Sequence, residues 1–236
     1  MRDFSLTPRS EGTREPRPVA DPVQFTLAQI KAHFDESLAS IQSQFDVAED
    51  LKTNGKTDEC KDIWRSQIVF LEGILDFYLH QIIKYALYQM FLERWTKSKD
   101  YEDLQISIRE VEVALKSIEN SETADESKKW FYEYLNNKFY YNSLVPLKYF
   151  QRQIKLLDMD FSDIMKTAFS TKNDGERFMK NFSSRRNDIA HRFDRSLSSA
   201  EKNDISREYV EECISGVRSI VYAIHNKAEE KDRTSL

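Results

Sequence analysis

Ile63-Trp64-Arg65-Ser66-Gln67-Ile68-Val69-Phe70-Leu71-Glu72-Gly73-Ile74-Leu75-Asp76-Phe77-Tyr78-Leu79-His80 is the stretch whose reading decides the fold. It continues without proline to about Trp95, adding Ile82, Ile83, Leu87, Met90 and Phe91. An apolar surface this wide exceeds what a one-faced surface helix needs, so the spacing predicts the central, most buried helix, capped by Asp58. Glu72, Asp76 and His80 recur every fourth residue and so share a side. Such a row can serve as a metal or acid/base cluster. A hydrogen-bonded structural row, or a polar edge facing a partner, outweighs that reading because sites are rare among such patterns.

Working outward, Thr26 is a suitable N-cap for an earlier helix whose stripe is Leu27, Ile30, Phe34, Leu38, Ile41, Phe45, Ala48 and Leu51. Asn54-Gly55 should stop it. Downstream, Leu104, Ile108, Val111, Leu115 and Ile118 predict one amphipathic helix over residues 101–118, with Glu and Lys outside. The polar break 120–125 precedes the aromatic run Trp130, Phe131, Tyr132, Tyr134, Leu135, Phe139, Tyr140 and Tyr141. With Lys128, Lys129 and Lys138 these rings could stack nucleobases. At helical spacing, the core reading outweighs it.

Asn142 and Ser143 start a loop, and Pro146 suits the first turn of the next helix. A short helix over 162–169, capped by Asp160 or Ser162, and a polar loop over 170–175 follow. Phe178, Phe182, Ile189 and Phe193 then mark one helix, and Tyr209, Val210, Cys213, Val217, Ile220, Val221 and Ile224 mark the last, over about 206–229. With no repeat and no strand-like alternation, the expectation is an all-α single domain over 25–230, between a disordered N-terminal arm (1–24) and a tail (231–236).

Composition agrees. The 236 residues are 40% hydrophobic, enough for a large core. Of five prolines, four (Pro8, Pro16, Pro18, Pro22) precede residue 23, which leaves the remainder free for long helices. A net charge of -5 argues against a globally basic protein that coats nucleic acid. Cys60 and Cys213 lack metal-site spacing and read as reduced thiols. No signal peptide and no membrane-spanning run are visible, so a soluble, cytoplasmic protein is expected.

Chemistry concentrates in Ser184-Arg185-Arg186-Asn187-Asp188-Ile189-Ala190-His191-Arg192. Between Lys172 and Arg195, seven Lys/Arg, including Lys180, face four acids, a local positive excess within an acidic chain. Arginine binds phosphate through two parallel donors and keeps its charge, while His191 titrates closest to neutrality. The two suffice for metal-independent RNA cleavage, in which the ribose 2'-OH attacks phosphorus, histidine moves protons and arginine stabilises phosphoryl charge. No carboxylate cage for Mg2+ and no cofactor motif is visible. Asn187 and His191 share a helix face, but Arg186 and His191 diverge by about 140°, so two copies about a two-fold axis would complete the groove. The plainer alternative is a solvated arginine face with a structural histidine.

Arg186-Asn187-Asp188-Ile189-Ala190-His191 resembles the RxxxxH motif of the HEPN superfamily, polar residue after the arginine included. The stretch 65–90, with Phe70 to His80, is similar to the long early helix of the RiboL-PSP group of that superfamily. The resemblance spans about 25–229, although only the hexapeptide is specific. It implies a helical bundle, usually dimeric, whose motif helices form a composite ribonuclease site, often in antiviral defence or as a toxin. Arg186 would then polarise the scissile phosphate, His191 act as acid/base and Asn187 orient one of them. Arg185, Arg192, Lys180 and Asp188 would line the RNA path. The implied function is a metal-independent endoribonuclease. The alternatives are a non-catalytic HEPN module binding RNA, a nucleotide or a partner such as an antitoxin, and a purely structural helical protein. The segment 101–141 exceeds a minimal HEPN bundle.

Overall fold

Thr26 opens the first helix as its residue type predicts. Its side chain accepts the Gln29 amide while Gln29 reaches back to the Thr26 amide, a reciprocal cap that starts α1 (Leu27–Thr53). Gly55, at φ +75°, ends the turn that follows. The α1 stripe from Leu27 to Ala48 is buried as expected. The computed structural model describes residues 24–124, 126–139 and 143–234. The arm expected over 1–24 lies, apart from Gln24, outside the described residues.

Helix α2 (Thr57–Phe91) is the central element, packing against α1 and four later helices. Ile68, Leu71, Leu75, Leu79, Ile82 and Leu87 are fully buried. Lys56, not Asp58, occupies its N-cap, and Asp58 sits in the first turn, where a carboxylate complements the helix dipole. The helix ends before Trp95 because Glu93 turns left-handed at φ 60°. Trp95 thereby folds back onto Tyr85, ring centroids 6.0 Å apart.

The single helix expected over 101–118 is two. Ser98 caps the short α3 (Lys99–Glu102), and a reciprocal Ser107–Glu110 cap starts α4 (Ile108–Glu119) afresh. Moreover, Ile108, Val111, Leu115 and Ile118 face solvent, and Ala114 alone is buried on α4. After a 3-10 turn, α5 (Lys129–Lys138) buries Phe131, Tyr132, Tyr134 and Leu135, so these aromatics are core. Phe131 stacks on Phe91 at 4.3 Å. Tyr140 and Tyr141 lie outside the described residues.

Pro146 stands just before α6 (Leu147–Leu156), and the Asp160 carboxylate accepts the Asp163 amide at 2.8 Å to cap α7 (Phe161–Ala168). The polar loop expected over 170–175 is mostly helix, because Thr171 accepts the Asp174 amide and starts α8 (Lys172–Arg192) early. Phe193 leaves that helix in the left-handed region and is exposed. Helix α9 (Arg207–Thr234) runs on past Glu229, since Asp232 accepts bonds from the Tyr85 hydroxyl and the Trp95 indole, both at 2.7 Å. The described residues are thus all-α without a strand, and no helix among them is long and apolar enough to cross a membrane. Cys60 and Cys213 are buried free thiols.

Gly216 lets α9 approach the motif helix, since a methyl group there would overlap the Phe178 ring. That ring is fixed between Phe169 and Phe182, at centroid distances of 5.1 and 5.8 Å. Overpacking costs about 1–3 kcal/mol, more than the roughly 1 kcal/mol that alanine gains in helix propensity. Gly216→Ala should therefore lower the chemical-denaturation midpoint; an unchanged or raised midpoint contradicts this packing.

Candidate functional site

The motif stretch forms the C-terminal half of α8, and its side chains part into three groups. Phe182 and Ile189 go to the core. Lys180, Ser184, Asn187 and His191 form an exposed ridge, their spacing of four, three and four residues keeping them on one line. Arg185 and Arg186 lie on the flanks, Arg186 reaching α2 and Arg185 turning to Asp194 beyond the helix end.

Arg186 is held at two points. Its Nε pairs with the Glu72 carboxylate of α2, which is almost wholly buried, and its Nη1 donates to Asn187 Oδ1 at 3.0 Å. Nη2 has no partner among the described residues, so one donor of the fork remains for an anion. Asn187 thus orients Arg186 rather than His191. His191 is exposed and makes no hydrogen bond or ion pair among the described residues. Arg192 pairs with Asp188 at 3.0 Å one turn back, so these two candidates largely neutralise each other.

Arg185 is committed elsewhere. It donates to Asp194 Oδ2 at 2.8 Å and to the Asp204 carbonyl at 2.8 Å. The same Asp194 oxygen accepts Arg65 Nε at 2.9 Å, and Arg65 further donates to the Asn203 carbonyl at 2.7 Å and to Asp62 at 3.0 Å. Asn203 also donates to Asp194 Oδ1 at 3.2 Å. Asp194 is completely buried, and both it and Phe193 adopt left-handed backbone, φ 59° and 54°. The Asp194 amide closes α8 by bonding to the Asp188 carbonyl at 2.9 Å. One carboxylate therefore locks the end of the motif helix to α2. Sequence reasoning passed over Arg65 and Asp194; the signal was a lone arginine within the apolar run of α2, seven residues before Glu72 and on the same side.

The Glu72, Asp76, His80 row does not converge. Glu72 serves Arg186, whereas Asp76 accepts the Leu144 amide at 2.6 Å and the Ser143 hydroxyl at 3.2 Å, with His80 Nε2 at 3.6 Å. Burial pushes the Asp76 carboxyl up, but the bonds from His80, Leu144 and Ser143 outweigh it and leave its pKa lowered. The structural reading of the row fits these contacts. Among the described residues, no group of three His, Cys, Asp or Glu side chains is placed to hold a metal.

A cavity of 520 Å³ opens beside α8, lined by Asn181, Ser184, Arg185, Asp188, Asp204 and Tyr209 among others. It includes neither Arg186 nor His191, and its carboxylates make it a poor seat for phosphate. Comparisons of the chain with family models, curated proteins and solved structures return no match.

Replacing Asp194 leaves two largely buried guanidinium groups without their shared carboxylate. Asp194→Ala should cost about 3–5 kcal/mol of stability, read by urea unfolding; a loss below about 1 kcal/mol contradicts the locking role.

Proposed function

We propose that the protein is a metal-independent endoribonuclease whose reaction groove is completed by a second copy of the chain. The observation that carries the reading is the contrast between the two motif residues. Arg186 is preorganised by Glu72 and Asn187 with one donor left over, while His191 stands on the open ridge with no partner to satisfy. A fixed cation for the phosphoryl oxygens and an accessible proton carrier are what 2'-OH attack requires. His191 takes the 2'-OH proton as the O2'–P bond forms. The P–O5' bond then breaks, leaving a 2',3'-cyclic phosphate, and the departing 5' oxygen takes a proton from water or from the other copy's His191.

Arg186 turns to Glu72 of α2 while His191 is exposed about 140° further round an ideal helix, so a single chain aims them apart. Support for a second copy comes from the exposed side of α2. Phe70 and Phe77 are 53% and 47% exposed, with Gly73 between them on the same ridge. A Cβ at Gly73 would meet nothing within this chain. An exposed mid-helix glycine costs about 1 kcal/mol relative to alanine, which close approach of another helix would offset. Two copies meeting there would bring their α8 ridges together beside the Arg186–Glu72 pairs. A toxin or defence role, and a cytoplasmic location, belong to this reading.

One observation favours the second reading, a module that binds RNA, a nucleotide or a protein without turnover. Glu72 offsets the charge of Arg186 and Asp188 that of Arg192, so the ridge has little net positive charge for a polyanion.

Purified protein incubated with single-stranded and tRNA-like RNA in EDTA should release products ending in 2',3'-cyclic phosphate. His191→Ala should slow cleavage at least about 100-fold, as should Arg186→Ala, also when combined with Glu72→Gln so that no buried carboxylate is orphaned. Undiminished cleavage by these variants contradicts the assignment, and RNA binding without product supports the non-catalytic module. Phe70→Asp/Phe77→Asp should convert a dimer to a monomer by light scattering and abolish cleavage with Arg186 and His191 intact; an active monomer contradicts the composite groove.

A further inference from the structure

Helix α4 buries the less apolar of its sides. On an ideal wheel Ile108, Val111, Leu115 and Ile118 fall within about 80° of arc, and their steps of three, four and three residues are those of a helix–helix seam. Their exposures are 80%, 45%, 55% and 48%. What packs against α5 and the preceding 3-10 turn is the adjacent edge, Ala114 with Glu110 and Ser117 half-buried. No α4 side chain belongs to the main hydrophobic core. The Ser107–Glu110 cap accounts for the helix forming there regardless.

Charge decides what fits this seam. Its free edge carries Glu112 and Glu119, about 40° and 20° from Ile108 on the wheel, both exposed and without a partner among the described residues. The other edge is taken by α5. Antiparallel pairing with α4 of a second copy would set the Glu112 and Glu119 carboxylates of both copies along one edge, a like-charge juxtaposition that disfavours self-association. Parallel self-pairing would need the edge that α5 covers.

We infer that the α4 face docks an amphipathic helix of another protein, presenting aliphatic side chains to Ile108, Val111, Leu115 and Ile118 and Lys or Arg side chains to Glu112 and Glu119. This surface is separate from the proposed RNA groove, and its occupation does not depend on cleavage.

The probe is a fluorescent synthetic helix about three heptads long, with Leu at the seam positions and Lys at the flanking ones, titrated against the full chain by anisotropy. A second peptide carries Glu in place of Lys. The Lys peptide should bind at least about tenfold more tightly, equivalent to about 1.4 kcal/mol, and Glu112→Lys/Glu119→Lys should reverse that preference. Leu115→Gln/Ile118→Gln should weaken binding by at least about tenfold while helicity, unfolding midpoint and any α2-mediated dimer are retained. Failure of the Lys peptide to bind, equal binding of the two peptides, or indifference to the Leu115/Ile118 substitutions overturns the inference. So does an oligomer that falls apart in the Leu115→Gln/Ile118→Gln variant, which would make the face a contact between copies.

Discussion

A single buried carboxylate, that of Asp194, holds the motif helix in place. It sits between Arg65 of α2 and Arg185 of α8, and Asn203 covers its second oxygen. Taking three charges out of water is expensive, so the arrangement persists only because nearly every donor finds an acceptor. Two consecutive non-glycine residues in the left-handed region add about 1–3 kcal/mol each, and the bonds made by Asp194 offset that strain. Because α2 carries Arg65 and Glu72 on one buried side, the α8 corner must present Asp194 to the first and Arg186 to the second. Exchanging the two partners would set like charges together, and a shifted register would leave buried charges unpaired.

This lock shapes the chemistry available. The arginine pair of the motif divides its labour: Arg185 builds the corner, and Arg186 is steered by Glu72 and Asn187 with one donor outward. His191 lies one turn before the locked corner, so its backbone is fixed while its side chain remains in solvent. On the proposed reading, a preorganised Arg186 and an accessible His191 suit transition-state stabilisation, where reorganisation at the moment of reaction is the main cost to avoid.

Much of the fold was legible in the residues. The three- and four-residue steps from Leu27 to Ala48, the cap at Thr26 and the width of the apolar surface from Ile63 to Phe91 report backbone geometry and burial together, and local sequence controls both. The stripe of α4 shows where that logic ends. Periodicity says that Ile108, Val111, Leu115 and Ile118 share a face, but not whether anything covers it. The polar segment 170–175 misled for a related reason, since the Thr171 cap converts polar residues into a helix start. Within the site, the pairing of Arg186 with Asn187 was accessible from adjacency. The Arg65–Asp194 bond spans 129 residues and leaves no local trace, so Asp194 counted merely as one acid and Arg185 as a phosphate ligand.

The central claim is that Arg186 of one copy and His191 of another serve the same groove. Mixing Arg186→Ala with His191→Ala protein, each inactive alone, and following RNA cleavage in EDTA tests it most directly. A shared groove restores part of the wild-type rate, because mixed dimers hold one intact arginine and one intact histidine contributed by different copies. A mixture as inactive as its components, under conditions where the two proteins exchange subunits and the wild type cleaves, would contradict the account.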